Sequence, residues 1–335
     1  MEKMKLKTII GALLLISLII PLVVKSQYLI HLATIIFIWS FLATAWSYMA
    51  RFGLVSLGHG AFMGVGAYVS LLLFNYYGMS PWIGMIIGAL AATLVAAVLG
   101  YACFRSGVVG DYFALVTLAL AEVVALTVVA LRGITGGSLG VTLKKAEGIP
   151  WLYLQSDSKI FFYYLSLCLL FIGFYIWHKI DTSRMQKALK AIGEDEIAAA
   201  SLGIKVIKYK MMITIISAFC TAIGGVIYVQ YITYMNPHTV SGVGISLSIC
   251  FKAIIGGMFT MMGPLIGSTI MISMEEFFRI AFGSDFVSVS QVIFGIALVA
   301  LIIFLPKGIY GTLKDFRIKK SKKEKKAILT ETISA

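Results

Sequence analysis

The chain has 335 residues, 60% of them hydrophobic and only 13% charged, and its mean hydropathy is +0.95. A soluble domain carries about 25% charged residues, so this composition excludes a water-soluble globular protein and points to an all-α membrane protein. The net charge of +13 would suit nucleic acid on a soluble domain, but here the 28 Lys and Arg residues sit at the ends of apolar stretches, as orientation determinants do. No nucleic-acid partner is expected; lipid is.

In chain order, residues 1–7 carry three lysines and residues 8–24 are apolar. That core is long for a signal peptide and lacks a small-x-small cleavage pattern, so it is read as a retained first span. Further apolar stretches run over 28–49, 54–74, 82–103, 112–131, 160–177, 211–235, 245–258, 264–282 and 287–305. Since a crossing takes about 20 residues, the expectation is about ten transmembrane helices. Residues 1–310 then form a single polytopic domain, and 311–335 a basic cytoplasmic tail. With the N-terminus inside, the inner segments hold twenty-one Lys and Arg residues and the outer segments five, so both termini and the loop 179–210 are expected in the cytoplasm.

Two glycine-rich stretches interrupt the apolar pattern, GLVSLGHGAFMGVGAY at 53–68 and GGMFTMMGPLIGS at 256–268. Gly60 and Gly64, like Gly263 and Gly267, have the GxxxG spacing that lets helices approach closely. One interruption in each half of the chain equally fits broken helices along a solute path. Polar residues at membrane depth need a partner or a cavity. His59 and Glu122 therefore read either as interior structural groups or as path residues, with Glu122 bonded to a neighbouring helix in the former case. Lys252 is expected to snorkel, and Glu275 and Arg279 to pair at i, i+4.

Residues 184–210, RMQKALKAIGEDEIAAASLGIKVIKYK, are the one long polar run between apolar blocks. Gly193 followed by Glu194, Asp195 and Glu196, then three alanines and Gly203, predicts a short helix over 194–202 with a left-handed glycine cap. Such a helix suits a docking surface. No GxxxxGKS/T phosphate loop, HExxH or GxSxG occurs, so ATP hydrolysis and membrane-embedded catalysis are not expected of this chain. Cys103, Cys168, Cys220 and Cys250 stand singly without CxxC spacing, which argues against a zinc site or a disulfide framework.

The two glycine stretches, together with GDYFALVTLALAEV at 110–123, ITGGSLGVT at 134–142 and KALKAIGEDEIAAASLGI at 187–204, resemble the LivM-type permease subunit of branched-chain amino-acid ABC importers, in order and spacing. The resemblance implies a type II-like importer permease fold in a bacterial-type cytoplasmic membrane. It implies four kinds of partner: a homologous LivH-type permease, two cytoplasmic ABC ATPases that carry ATP and Mg, an extracytoplasmic substrate-binding protein, and lipid. This chain itself would bind no cofactor and no metal.

By the same resemblance Glu194, Glu196, Ala198, Ala199 and Gly203 form an EAA-like coupling helix, with the acid displaced by one position. A bulky residue at Ala199 would then disrupt assembly. The solute path would involve Ser56, His59, Gly60, Glu122, Thr135, Gly256 and Gly257. Phe259, Asp111 and Leu139 depart from the family pattern. Urea, short-amide and other amino-acid importers use similar permeases, so they stand beside branched-chain amino acids as substrates. An ion-coupled secondary transporter using Glu122 and His59, and a membrane scaffold, are the readings from other classes.

Overall fold

The computed structural model describes residues 26–145, 152–155 and 158–282, with residues 17, 18, 21, 295, 296, 308 and 309. Most of the spans expected at 8–24 and 287–305, and all of the tail 311–335, lie outside the described residues. The other eight expected spans all fall on helices. Six helical stretches are long and apolar enough to cross a membrane: Gln27–Ala50, Pro81–Arg105, Gly110–Ala130, Lys159–Thr182, Val206–Ile232 and Pro237–Gly256. The expected count of about ten is thus not reached among the described residues. His59–Tyr77 is helical but less apolar, and Gly263–Phe282 carries Glu275, Glu276 and Arg279 together.

In chain order the helices are α1 (Gln27–Ala50), α2 (His59–Tyr77), α3 (Pro81–Arg105), α4 (Gly110–Ala130), the single turn α5 (Arg132–Thr135), α6 (Lys159–Thr182), α7 (Arg184–Glu194), α8 (Glu196–Ser201), α9 (Val206–Ile232), the single turn α10 (Pro237–Val240), α11 (Gly242–Gly256) and α12 (Gly263–Phe282). Two dipeptide strands, β1 (Val141–Thr142) and β2 (Tyr234–Met235), pair antiparallel and join the loops after α4 and α9. α7 and α8 lie at the opposite end of the bundle from this pair.

Helices α1 and α9 form the centre, packed on each other, with α6, α11 and α12 around α1 and with α2 and α3 against α9. Lipid offers apolar segments no hydrophobic gain over one another, so close backbone approach and internal hydrogen bonds must hold them together. The sequence supplies both. α3 buries Gly84, Gly88, Ala92, Ala96 and Gly100, one small residue per turn, against α2 and α9. A Cβ on Gly66 would lie 2.7 Å from Ala222 Cβ, and one on Gly88 would strike the Gly66 carbonyl. Ser217 Oγ donates to Ala45 O (2.7 Å), joining α9 to α1, and Tyr48 Oη donates to Gly173 O (2.7 Å), joining α1 to α6. Where α1 ends, Arg51 Nη1 meets Asp181 Oδ1 at 2.8 Å while its guanidinium stacks 3.9 Å from the Trp177 ring.

Three sequence expectations change. The second span starts at His59 rather than Leu54, because residues 53–58 enter the bundle without helical structure. Lys252 does not snorkel: it is 3% exposed, with Nζ on Ser248 Oγ (2.5 Å) and 4.1 Å from the centre of the Trp39 ring, a cation–π contact that replaces water. Arg279 pairs with Glu276, at i, i+3, rather than with Glu275, and Tyr28 Oη donates to the same carboxylate (2.9 Å). Gly66→Leu places a branched side chain where α2, α3 and α9 touch. It is expected to destabilise the protein by about 1–3 kcal/mol or more, read as a lowered midpoint of thermal unfolding in detergent, whereas Leu94→Ala on the exposed side of α3 leaves the midpoint nearly unchanged.

Candidate functional site

The first glycine stretch makes a break at membrane depth. After Arg51 the chain turns back into the bundle over residues 53–58, and α2 begins only at His59. The segment has no helix to satisfy its backbone, so neighbouring helices do so. Trp46 Nε1 donates to Ser56 O (2.7 Å), Leu57 N to Thr117 Oγ1 (3.0 Å), and Gly58 N to Ser56 Oγ (3.1 Å). At 1.5 Å per residue Thr117 stands about 10 Å along α4, itself about 30 Å long, so the segment is well inside the span.

The start of α11 meets the start of α2. Gly60 N donates to Ser246 Oγ (2.9 Å), and a Cβ on Gly60 would lie 2.5 Å from Gly242 O, so only glycine permits the approach. Glu122 of α4, about 18 Å along that helix, completes the junction: its Oε1 accepts from Val243 N at 3.3 Å. An acid beside the positive end of a helix is the favourable arrangement. Glu122 is therefore bonded to a neighbouring helix, as one of the two sequence readings had it, yet its side chain stays on the exposed side of α4.

His59 is fully buried, with Nε2 2.8 Å from Ser217 Oγ. Ser217 already gives its only hydroxyl proton to Ala45 O, so it accepts from His59, which fixes the ring as the Nε2–H tautomer. Nδ1 is left as an acceptor without a partner among the described residues.

The structure thus brings Ser56, His59, Gly60 and Glu122 together and adds Thr117, which lies in the 110–123 motif without having been singled out, and Ser217, Gly242 and Ser246, which no motif marked. Their common sign was a hydroxyl or glycine in an apolar span. Thr135 stands apart near the β1–β2 pair, with Oγ1 donating to Val128 O (2.6 Å) and capping Gly137 N. Gly256 and Gly257 belong to a second break, between α11 and α12. There a Cβ on Gly256 would strike the Gly263 carbonyl and one on Gly267 the Lys252 carbonyl, so those glycines interlock two helices.

The polar stretch 184–210 folds as two helices where one was expected. α7 buries Met185, Ala188, Leu189 and Ile192, a stripe at helical spacing, so Gly193 and Glu194 close a helix rather than precede one. Asp195 breaks the run and caps α8, its Oδ1 accepting from Ile197 N (2.8 Å) and Ala198 N (2.9 Å). At the other end Ile204 N reaches Ala199 O and Gly203 N reaches Ala200 O, with Gly203 at φ +83°, a Schellman closure of the kind the glycine suggested. Glu196 Oε2 is 2.5 Å from Nζ of the buried Lys210, which ties α8 to the first turns of α9. Ala199 faces the protein's own core at 2% exposure. Ala198 points outward, flanked by Ile197 and Leu202, each 81% exposed.

Residues 28–302 match the family described as the permease component of branched-chain amino acid transport systems. The chain is 27% identical over 327 residues to the high-affinity branched-chain amino acid transport system permease protein LivM of Escherichia coli, covering 91% of this chain and 75% of that protein. It is 23% identical over 274 residues to the LivH permease protein of the corresponding system in Salmonella typhimurium, covering 77% and 86%. It is also 26% identical over 231 residues to the nucleoside ABC transporter permease protein NupC of Lactococcus lactis, covering 65% and 71%. No solved structure matches. The family match spans well over half of the sequence, so the chain belongs to the family of permease components of branched-chain amino acid transport systems, and it resembles the LivM proteins over more of its length than the LivH proteins.

Proposed function

We propose that this chain is one of two homologous permease subunits of an ATP-driven importer for branched-chain amino acids. The observation that carries the reading beyond family membership is the junction of two helix starts at membrane depth, beside a carboxylate, in a chain with a pair of polar helices of which the second has its own Asp195 cap. A zwitterion crossing an apolar span needs polar contacts of both signs. Helix starts favour its carboxylate, and Glu122 its ammonium group. Ser56, His59 and Gly60 shape the same junction, which is why few dedicated side chains are required. Thr135, Gly256 and Gly257 act in this reading as supports of the loops and helix pair around it.

The remainder of the assembly follows from the same reading. Residues 1–310 form the permease domain, loop 179–210 the coupling element and 311–335 the basic tail, with both termini cytoplasmic. Two ATPases carry the nucleotide and Mg, and an extracytoplasmic binding protein delivers the solute. On α8, Ile197, Ala198 and Leu202 form an apolar knob with Glu194 and Gly203 exposed beside it, and an apolar knob on a water-facing helix is what a partner groove covers. Glu196 serves from within by holding α8 to Lys210. The secondary-transporter reading gives this knob no task.

The deciding measurement is uptake of labelled leucine by the purified complex in vesicles, with and without ATP on the ATPase side, in the presence of the binding protein. ATP-dependent uptake, competed by isoleucine and valine and unaffected by an uncoupler, is expected. Uptake competed by guanosine or urea instead would move the substrate, and uptake abolished by an uncoupler and indifferent to ATP would overturn the importer reading. The double substitution Ile197→Asp with Leu202→Asp is expected to weaken ATPase co-purification about thirtyfold, the equivalent of about 2 kcal/mol at a hot spot, while the permease stays folded. Ala199→Trp is expected to lower the unfolding midpoint of the permease itself, because that side chain faces inward.

A further inference from the structure

Two helices leave most of their surface uncovered, and they do so with different chemistry. α3 has 33% of its apolar window buried and α4 has 28%, the two lowest values among the six candidate spans. The outward side of α3 carries Ile86, Leu90, Leu94 and Val98, each more than half exposed, with no charge among them and with the half-buried Thr93 beside them giving its hydroxyl proton to Ala89 O. That is a surface for lipid. The outward side of α4 carries Tyr112, Leu115, Ala119, Glu122, Val123 and Leu126, which recur at helical spacing and form one stripe. An acid stands near the middle of that stripe.

A carboxylate facing hydrocarbon is costly, and the one bond it makes among the described residues, at 3.3 Å to Val243 N, occupies a single lone pair of one oxygen. The exposed residues around it are apolar, so the stripe cannot simply face water either. Protein with a polar group opposite Glu122 satisfies both conditions.

We infer that the Tyr112–Leu126 stripe of α4 is the seam with the second permease chain, that the second chain is homologous but not identical, and that it presents a hydrogen-bond donor or a cation to one Glu122 oxygen, leaving the carboxylate's other acceptor sites for the solute's ammonium group. The inference rests on the proposed two-permease importer and names the face where the two chains meet. A second copy of this chain is disfavoured by charge. In a two-fold contact the same patch lies on both sides, so Glu122 and Asp111 would face a partner carrying the same two acids. The uncharged side of α3, by contrast, is left to lipid.

The test is site-directed cross-linking in the intact complex, purified from native membranes and already shown to contain a second permease. Cys168, which is exposed, is first replaced by Ser so that it gives no background. Single cysteines are then placed at Ala119 and Leu126 on the stripe and at Leu90 and Leu94 on α3, treated with a short thiol-to-amine cross-linker, and the products identified by mass spectrometry. Adducts with the homologous permease from Ala119→Cys and Leu126→Cys, and none from Leu90→Cys and Leu94→Cys, are expected. Glu122→Gln should retain the adducts, and Glu122→Arg should reduce them to background if a cation lies opposite. Adducts with a second copy of this chain, adducts from the α3 positions alone, or none from the α4 positions while the second permease is present, would each overturn the inference. Failure of any second permease to co-purify would instead sink the two-permease reading itself, so the two failures are told apart before cross-linking begins.

Discussion

A helix that begins inside a membrane leaves its first N–H groups without water, and this constraint organises the molecule. Two helices here, α2 and α11, begin at depth, and their starts are set against each other so that α11 helps to satisfy the backbone of α2, and α4 that of α11. The Ser246 hydroxyl serves the start of α2, Glu122 serves the start of α11, and Thr117 and Trp46 hold the irregular segment leading in. Remove Ser246 or Trp46 and a buried polar backbone group is left alone at a cost of about 1–3 kcal/mol. That is why a stretch rich in glycine and serine persists within an otherwise apolar chain.

The same absence of water dictates how the rest packs. Apolar side chains gain little by leaving lipid, so the contacts that hold α2, α3 and α9 together are those where small residues let backbones touch. The outward faces then become informative, since nothing inside the chain demands their composition. On α3 that face carries no charge, and its one threonine hydroxyl is bonded within the helix, whereas on α4 it carries an acid, and only the former suits hydrocarbon. The buried Lys252 follows the same logic from within, taking Ser248 and the face of Trp39 in place of water.

Much of this was legible in the sequence because apolar length is a strong signal. All eight expected spans within the described residues fall on helices, and the Gly203 cap and the break near residues 53–58 both announced themselves as glycine. What was not legible is which of two neighbouring residues faces inward. Ala198 and Ala199 are the same residue type at adjacent positions, and only the packing of α8 on its own chain distinguishes the outward one from the buried one. Asp195 likewise sits among three acids, and its role as the cap that divides α7 from α8 depends on where α7's buried stripe ends. The place of Thr135, apart from the junction, was not legible for a related reason. Its hydroxyl is needed for a local turn at the end of α4, and a polar residue in a glycine-rich loop looks alike in either role.

The exposed apolar knob of α8 and the junction are connected by one rigid element. Glu196 on α8 holds Lys210, and Ser217, which binds both His59 and Ala45, stands seven residues further along α9. Two helical turns, about 10 Å, separate these attachments. A helix transmits displacement along its axis because its own hydrogen bonds resist stretching, so a partner that moves α8 moves Lys210, α9 and then the Ser217 end of the junction. His59 is well suited to register that motion. Among the described residues it is held through one nitrogen and its other nitrogen has no partner, and it is the first residue of the helix whose start meets α11. A shift of α9 that withdraws Ser217 would therefore change the hydrogen bonding at the one place where two helix starts, a histidine and a carboxylate converge.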